Sequence, residues 1–195
     1  MLRADVFPLE SQTMGPILCR CRILPLLLLC TGLAGIAHAE PQDGFGLSIG
    51  PTSHTATVVI SGVKQHYDST GAGMTVDAQF VVNNSWSINP SIQLSLEKAR
   101  GDLTDTLGNN QAGLQLRHWS GNVFAAPAII YSVEDVLESG VIKRTEYGPG
   151  LGLVAGWESP AGLTLSLEAD APESLYFSSN QRRTGLWLQL GYRWH

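Results

Sequence analysis

Beyond residue 40 the chain alternates between apolar and polar positions. Over 72–82, Met74, Val76, Ala78, Phe80 and Val82 fall on one side of an extended segment, with Thr75, Asp77, Gln79 and then Asn83 on the other. A period of two sustained over that length predicts a β-strand with one apolar and one polar face. The pattern recurs. Trp86, Ile88, Pro90, Ile92, Leu94 and Leu96 oppose Ser91, Gln93, Ser95 and Glu97, while Ala112, Leu114 and Leu116 oppose Gln111, Gln115 and Arg117. Leu163, Leu165 and Leu167 oppose Thr164, Ser166, Glu168 and Asp170; Leu186, Leu188, Leu190, Tyr192 and Trp194 oppose Gln189, Arg193 and His195. Two further strands are less regular: 123–133 is apolar on both faces, and 147–157 sets Leu151, Leu153 and Trp157 against Gly148, Gly150, Gly152 and Gly156. A first strand over about 54–66 alternates weakly through Ala56, Val58 and Ile60, and 45–49 reads either as its beginning or as an extra strand. The count is eight strands, with nine as the alternative.

The connections differ in length from one end to the other. Tight turns are expected at 83–85, 120–122 and 159–161, and longer links rich in Asp, Gly, Asn and Arg near 99–109, 134–145 and 172–183. Short turns on one rim and long loops on the other are the pattern of a transmembrane β-barrel, whose strands need about 9–11 residues to cross a bilayer at a tilt. In such a barrel the apolar face meets lipid and the polar face lines the interior. A soluble sheet would reverse this. The polar faces here are mostly Ser, Thr, Gln and Gly with isolated charges, and only 15% of residues are charged against about 25% in soluble domains. Trp86, Trp119, Trp157 and Trp194 gather beside the short turns, and Tyr67, Tyr131, Tyr147 and Tyr176 lie towards the long loops, the two aromatic girdles a barrel carries at its interfaces.

The N-terminus predicts export. Arg20 and Arg22 precede an apolar run over 23–29, and the segment closes with Ala37, His38 and Ala39 before Glu40. A basic stretch, a short apolar stretch and an A-x-A site make a signal peptide spanning 1–39, leaving a barrel domain over 40–195. Asp5 and Glu10 carry the wrong charge ahead of a signal, so Met14 is a possible true start. The alternative, a retained anchor, needs about 20 apolar residues and finds fewer. Lipoprotein processing at Cys30 is disfavoured by Leu29, where a small residue is expected. Cys19, Cys21 and Cys30 all fall in the removed segment, so the exported chain has neither disulfides nor thiolate metal sites. The net charge of −5, from 12 Lys+Arg against 17 Asp+Glu, argues against nucleic acid as a partner.

The run Leu186-Trp187-Leu188-Gln189-Leu190-Gly191-Tyr192-Arg193-Trp194 resembles the C-terminal assembly signal of outer-membrane proteins, with Leu188, Leu190, Tyr192 and Trp194 as its alternating members. It departs from that signal in ending on His195, where Phe is usual. Over 44–195 the chain resembles the small eight-stranded barrels of the OmpA, OmpX and YfaZ kind. The YfaZ likeness is carried by Ala171-Pro172-Glu173-Ser174-Leu175. The resemblance implies an all-β, antiparallel, up-and-down transmembrane barrel acting as a monomer in the outer membrane of a Gram-negative bacterium. It also implies outer-membrane lipid and lipopolysaccharide as neighbours, the barrel-assembly machinery as a partner during insertion, and no cofactor.

In that fold Asp77, Glu97, Arg117, Glu158, Glu168, Asp170 and Arg193 occupy inner faces, where acids and bases are expected to pair into a plug. A gated ion path through the same residues is the alternative. Lys98 can snorkel to the interface. Loop charges Glu134, Asp135, Glu138, Lys143, Arg144 and Glu146, with Lys98, Arg100, Arg182 and Arg183 at loop bases, read as solvated charge or as contacts for lipopolysaccharide phosphates. His118-Trp119-Ser120-Gly121-Asn122 resembles the His-x-Ser-Asn motif of PagL lipid A deacylases, which would make His118 a base, Ser120 a nucleophile, and Glu134 or Glu138 the orienting carboxylate. Against it, Gly121 stands where that motif has Asn, and Ser120 lies in a short turn. His118 is also in phase with lipid-facing Leu114 and Leu116. His54 and His66 have no ligand-spaced neighbours, so no metal site is expected. Non-enzymatic work in envelope integrity, surface contact or lipopolysaccharide interaction is the leading reading. A PagL-like hydrolase and a soluble, lipocalin-like periplasmic carrier are the alternatives.

Overall fold

The structure, a computed structural model, describes residues 40–60, 63–101, 106–138, 141–172, 175 and 181–195. The expected signal peptide and its cysteines lie outside the described residues, as does Tyr176. Eight strands run in chain order: β1 (Gly44–Ile60), β2 (Val63–Asn83), β3 (Trp86–Gly101), β4 (Thr106–Ser120), β5 (Val123–Glu138), β6 (Val141–Glu158), β7 (Leu163–Ala171) and β8 (Gln181–Trp194). Each pairs antiparallel with the next, and β1 pairs with β8 to close the barrel. Closure leaves no open sheet edge in the wall, the condition for crossing lipid with strands. Segment 45–49 is the lower part of one continuous 17-residue β1, which settles the count at eight.

The ladder is sheared. A row followed from His54 through Gly185, Asp170, Gly152, Ala128, Gln115 and Asn89 returns to β1 at Gly44, about ten residues below its start. Stagger of this size tilts strands by roughly 35–45° and fixes an interior that side chains can fill.

The short-turn rim matches the sequence expectation. Trp119 N donates to Ser85 O, Glu158 N to Asn122 O and Arg193 N to Gly162 O, stitching the turns to neighbouring strands. Gly121 and Gly162 turn there with positive φ, a backbone that L side chains resist. The opposite rim differs. Much of what read as connection is strand: 134–138 completes β5, 141–145 opens β6, and 67–71 belongs to β2. The segment 54–66, read as one strand, contains the β1–β2 connection instead.

Polarity is inside-out. Ile92, Leu94, Leu153, Leu165 and Leu188 point outwards, and Leu94, Leu165 and Leu188 are each more than 40% exposed. A lipocalin-like carrier would bury those leucines around a common centre. The interior is polar but not uniformly so. Trp119, Phe124, Ala126, Ala128, Ile130 and Val154 form an apolar cluster towards the short-turn end, and Ala56, Tyr67, Ala99 and Leu107 form a second towards the other. Two glycines make room for these rings: a Cβ at Gly156 would stand 2.5 Å from Phe124 Cζ, and one at Gly73 2.5 Å from Trp187 Cζ3.

The girdles are thinner than expected. Trp86 and Trp194 face outwards on one rim and Tyr131 and Tyr147 on the other. Trp119 and Tyr67 turn inwards, because each shares the parity of the lumen-facing side chains on its strand.

Candidate functional site

The interior charges form three tiers. In the first, near the short turns, Arg193 is the hub. Its Nη2 donates to Asp77 Oδ2 at 2.7 Å and its Nε to Glu158 Oε2 at 2.9 Å, joining β8 to β2 and β6. Arg117, from β4, reaches the same Asp77 oxygen at 3.3 Å, donates to Gln115 Oε1 at 3.0 Å, and lies 4.3 Å over the Phe124 ring. His195 Nε2 stands 3.3 Å from the other Glu158 oxygen. Beside this hub a relay runs from Trp119 Nε1 to Ser87, from Ser87 to Asn89, and from Asn89 to Gln79.

The second tier crosses the middle. Gln93 and Gln111, opposite one another on β3 and β4, send their amides to Glu168 and Asp170 on β7, at 2.5 and 2.9 Å. Asp170 also accepts from Trp187 Nε1 at 2.8 Å. His54 is held between carboxylates, its Nδ1 2.8 Å from Glu97 Oε1 and its Nε2 3.8 Å from Asp170 Oδ2. Glu97 further accepts from Thr52, Ser95 and Ser69 at 2.8, 2.8 and 2.6 Å. In the third tier Glu134 accepts from Tyr67 at 2.8 Å and pairs with Arg183, which also reaches Ser132.

The seven charges read from sequence as lumen residues, Asp77, Glu97, Arg117, Glu158, Glu168, Asp170 and Arg193, are all buried inside the wall. They divide between the first two tiers. Four important members were not read as lumen residues. His54 shares its face with Thr52 and Ala56, and Arg183 shares its face with Trp187, Gln189 and Arg193, so parity carried through the weak regions finds both. Glu134 and Tyr67 were assigned to a loop and a girdle because the apolar alternation fades beyond the membrane.

Chemically the tiers cross-link the lumen. Every arginine in them spans strands, and a cavity of about 20 Å³ beside Asp77, Arg117, Glu168 and Arg193 holds about one water. The hydrolase candidates do not assemble. His118 and Ser120 face outwards at the short-turn rim, where His118 packs against Trp86 at 4.7 Å between ring centres. Glu134 lies inside, at the far end of β5, and the side chain of Glu138 is outside the described residues. Among the described residues no group of three His, Cys, Asp or Glu is placed to hold a metal ion. The assembly-signal residues Leu188, Leu190, Tyr192 and Trp194 all face outwards, with Trp194 stacked near Phe45 and Tyr192.

Comparison with solved structures places this architecture. Ail, the attachment invasion locus protein of Yersinia pestis, superposes with a TM-score of 0.55 at 12% identity, over 79% of this chain and 100% of its own. Neisserial surface protein A superposes with a TM-score of 0.51 at 11% identity, over 77% and 97%. The chain has the fold of the small eight-stranded outer-membrane barrels. No protein-family model matches it, and no curated protein sequence matches it. At these identities the likeness extends to the fold alone.

Proposed function

We propose that this chain is an integral outer-membrane protein with a sealed lumen, whose work is non-enzymatic contact at the cell surface. The observation that carries the reading is the inversion of polarity: a continuous apolar exterior over a lumen cross-linked by ion pairs. In water such an exterior is an aggregation surface; in lipid it is the stable state. Strand length supports a surface role. β2 has 21 residues and β6 has 18, against about 9–11 needed to cross a bilayer, so both continue past it on the side away from the short turns. There the outward side chains change to Thr55, Thr57, His66 and Asp68. A polar collar standing above the membrane suits contact with macromolecules or glycans. The structural neighbour Ail carries attachment in its name and has been crystallised with the heparin analogue sucrose octasulfate.

The test has two arms. Heat-modifiable gel migration and sedimentation with the outer-membrane fraction report integration; a protein that stays in the soluble periplasm ends the reading. Reconstitution into planar bilayers reports the lumen. The sealed barrel gives no stepwise conductance, and steady ion-selective openings would make it a channel.

A further inference from the structure

One lumen carboxylate stands without a charged partner. Asp77 and Glu158 pair with Arg193, Glu134 pairs with Arg183, and Glu97 and Asp170 hold His54 between them. Glu168 is as deeply buried, at 3% exposure, yet among the described residues its one bond is the amide that Gln93 donates to Oε2. Its other oxygen, Oε1, has no hydrogen-bond partner, which is costly for a desolvated carboxylate. A donor in the first tier is in the same position. Arg193 donates through Nε to Glu158 and through Nη2 to Asp77, and its Nη1 has no partner. Both side chains line the cavity of about 20 Å³, with Asp77, Arg117, Thr164 and Ser166. That volume admits one water-sized occupant. Charge selects its kind. Arg117 and Arg193 repel a cation there and Asp77 and Glu168 repel an anion, so a neutral molecule that both accepts and donates suits the pair. Among the described residues the first two tiers share no side-chain hydrogen bond, so the occupant of this cavity is the junction between them.

We propose that the cavity is the binding site of one buried water, which accepts from Arg193 Nη1 and donates to Glu168 Oε1. The hydroxyls of Thr164 and Ser166, on the cavity wall, offer an acceptor for its second hydrogen. The bridge supplies Glu168 with a counter-charge, ties β7 to the hub on β8, and makes the two tiers one network. The inference rests on the reading of a sealed lumen: it needs a single caged water, where an open channel would hold a mobile column.

The barrel is folded in lipid nanodiscs, checked by heat-modifiable migration, and read in two ways. Nuclear Overhauser transfer from water to the Arg193 guanidinium is expected to carry the sign of an immobilised water. Ser166→Val, which fills the cavity, abolishes that signal in a barrel that still folds. The second reading is a double-mutant cycle in urea. Glu168→Gln lowers the unfolding midpoint by itself and does not lower it once Arg193→Met is present. The expected coupling is roughly tenfold in the unfolding equilibrium, the worth of one charge-assisted hydrogen bond. Equal losses in both backgrounds, or a rise in midpoint from Glu168→Gln alone, would leave the carboxylate unbridged and overturn the site. So would a missing signal in wild type, or one that survives Ser166→Val. A midpoint that differs between sodium and choline chloride would put a cation in place of the water and overturn it as well. Stepwise conductance in planar bilayers overturns the sealed lumen itself.

Discussion

Arg193→Met is the sharpest perturbation of the lumen. The guanidinium is 2% exposed and makes charge-assisted bonds to Asp77 and Glu158, at 2.7 and 2.9 Å. Each such bond contributes about 1.5–3 kcal/mol, so their joint loss is worth about 3–6 kcal/mol. The acids are not wholly abandoned, since Asp77 keeps Arg117 at 3.3 Å and Glu158 keeps His195 at 3.3 Å. The expected destabilisation is therefore in the lower half of that range, about 3–4 kcal/mol, in line with breaking a buried pair by removing one partner. Urea titration in lipid vesicles, followed by tryptophan fluorescence and by heat-modifiable migration, measures it. Adding Glu158→Gln to Arg193→Met neutralises the acid left without an arginine, while Asp77 stays to pair Arg117, and is expected to recover part of the loss. A single-variant cost below about 1 kcal/mol, the value of a solvent-exposed pair, would refute the idea that the hub is desolvated.

Two more predictions use the same barrel. Gly185→Ala would put a Cβ 2.3 Å from Asp170 Oδ1 and 2.3 Å from His54 Nε2, so it should lower stability by roughly 1–3 kcal/mol in the urea assay. A neutral Gly185→Ala would mean that the second tier is loosely packed. Ser120→Ala and His118→Ala should leave cellular lipid A unaltered in mass spectra, and an acyl chain whose removal depends on Ser120 would restore the hydrolase reading.

The membrane-crossing part of the fold is legible in the sequence because lipid imposes a strict rule on it. Every second side chain from Trp86 to Leu96 must be apolar, which fixes both the strand and its inner face. That rule stops applying above the bilayer. At 67–71 of β2, and where β5 and β6 continue past the membrane, water meets the outer face and the lumen meets the inner one. The contrast between the two faces fades there, so paired strand resembles loop. Arg183 and Glu134 fell in that zone and read as loop charge, although each lies inside a tier. Tyr67 and Trp119 misled differently. Their height on the strand suits a girdle, but parity, which decides direction, sends them inwards. His54 was judged only by sequence spacing to other ligands, and its carboxylate neighbours come from β3 and β7 through barrel closure. That closure cannot be read from local pattern.

Residues 40–195 contain no cysteine, so single cysteines placed along 86–96 can be spin-labelled without competing sites. With the barrel reconstituted in lipid vesicles, collision with oxygen reports lipid contact and collision with a water-soluble nickel chelate reports water. The structure predicts a period of two: labels at Ile88, Pro90, Ile92, Leu94 and Leu96 meet oxygen freely. Labels at Ser91, Gln93 and Ser95 are shielded from it. Oxygen contact at the odd positions with shielding at the even ones would turn the barrel right side out and contradict the account.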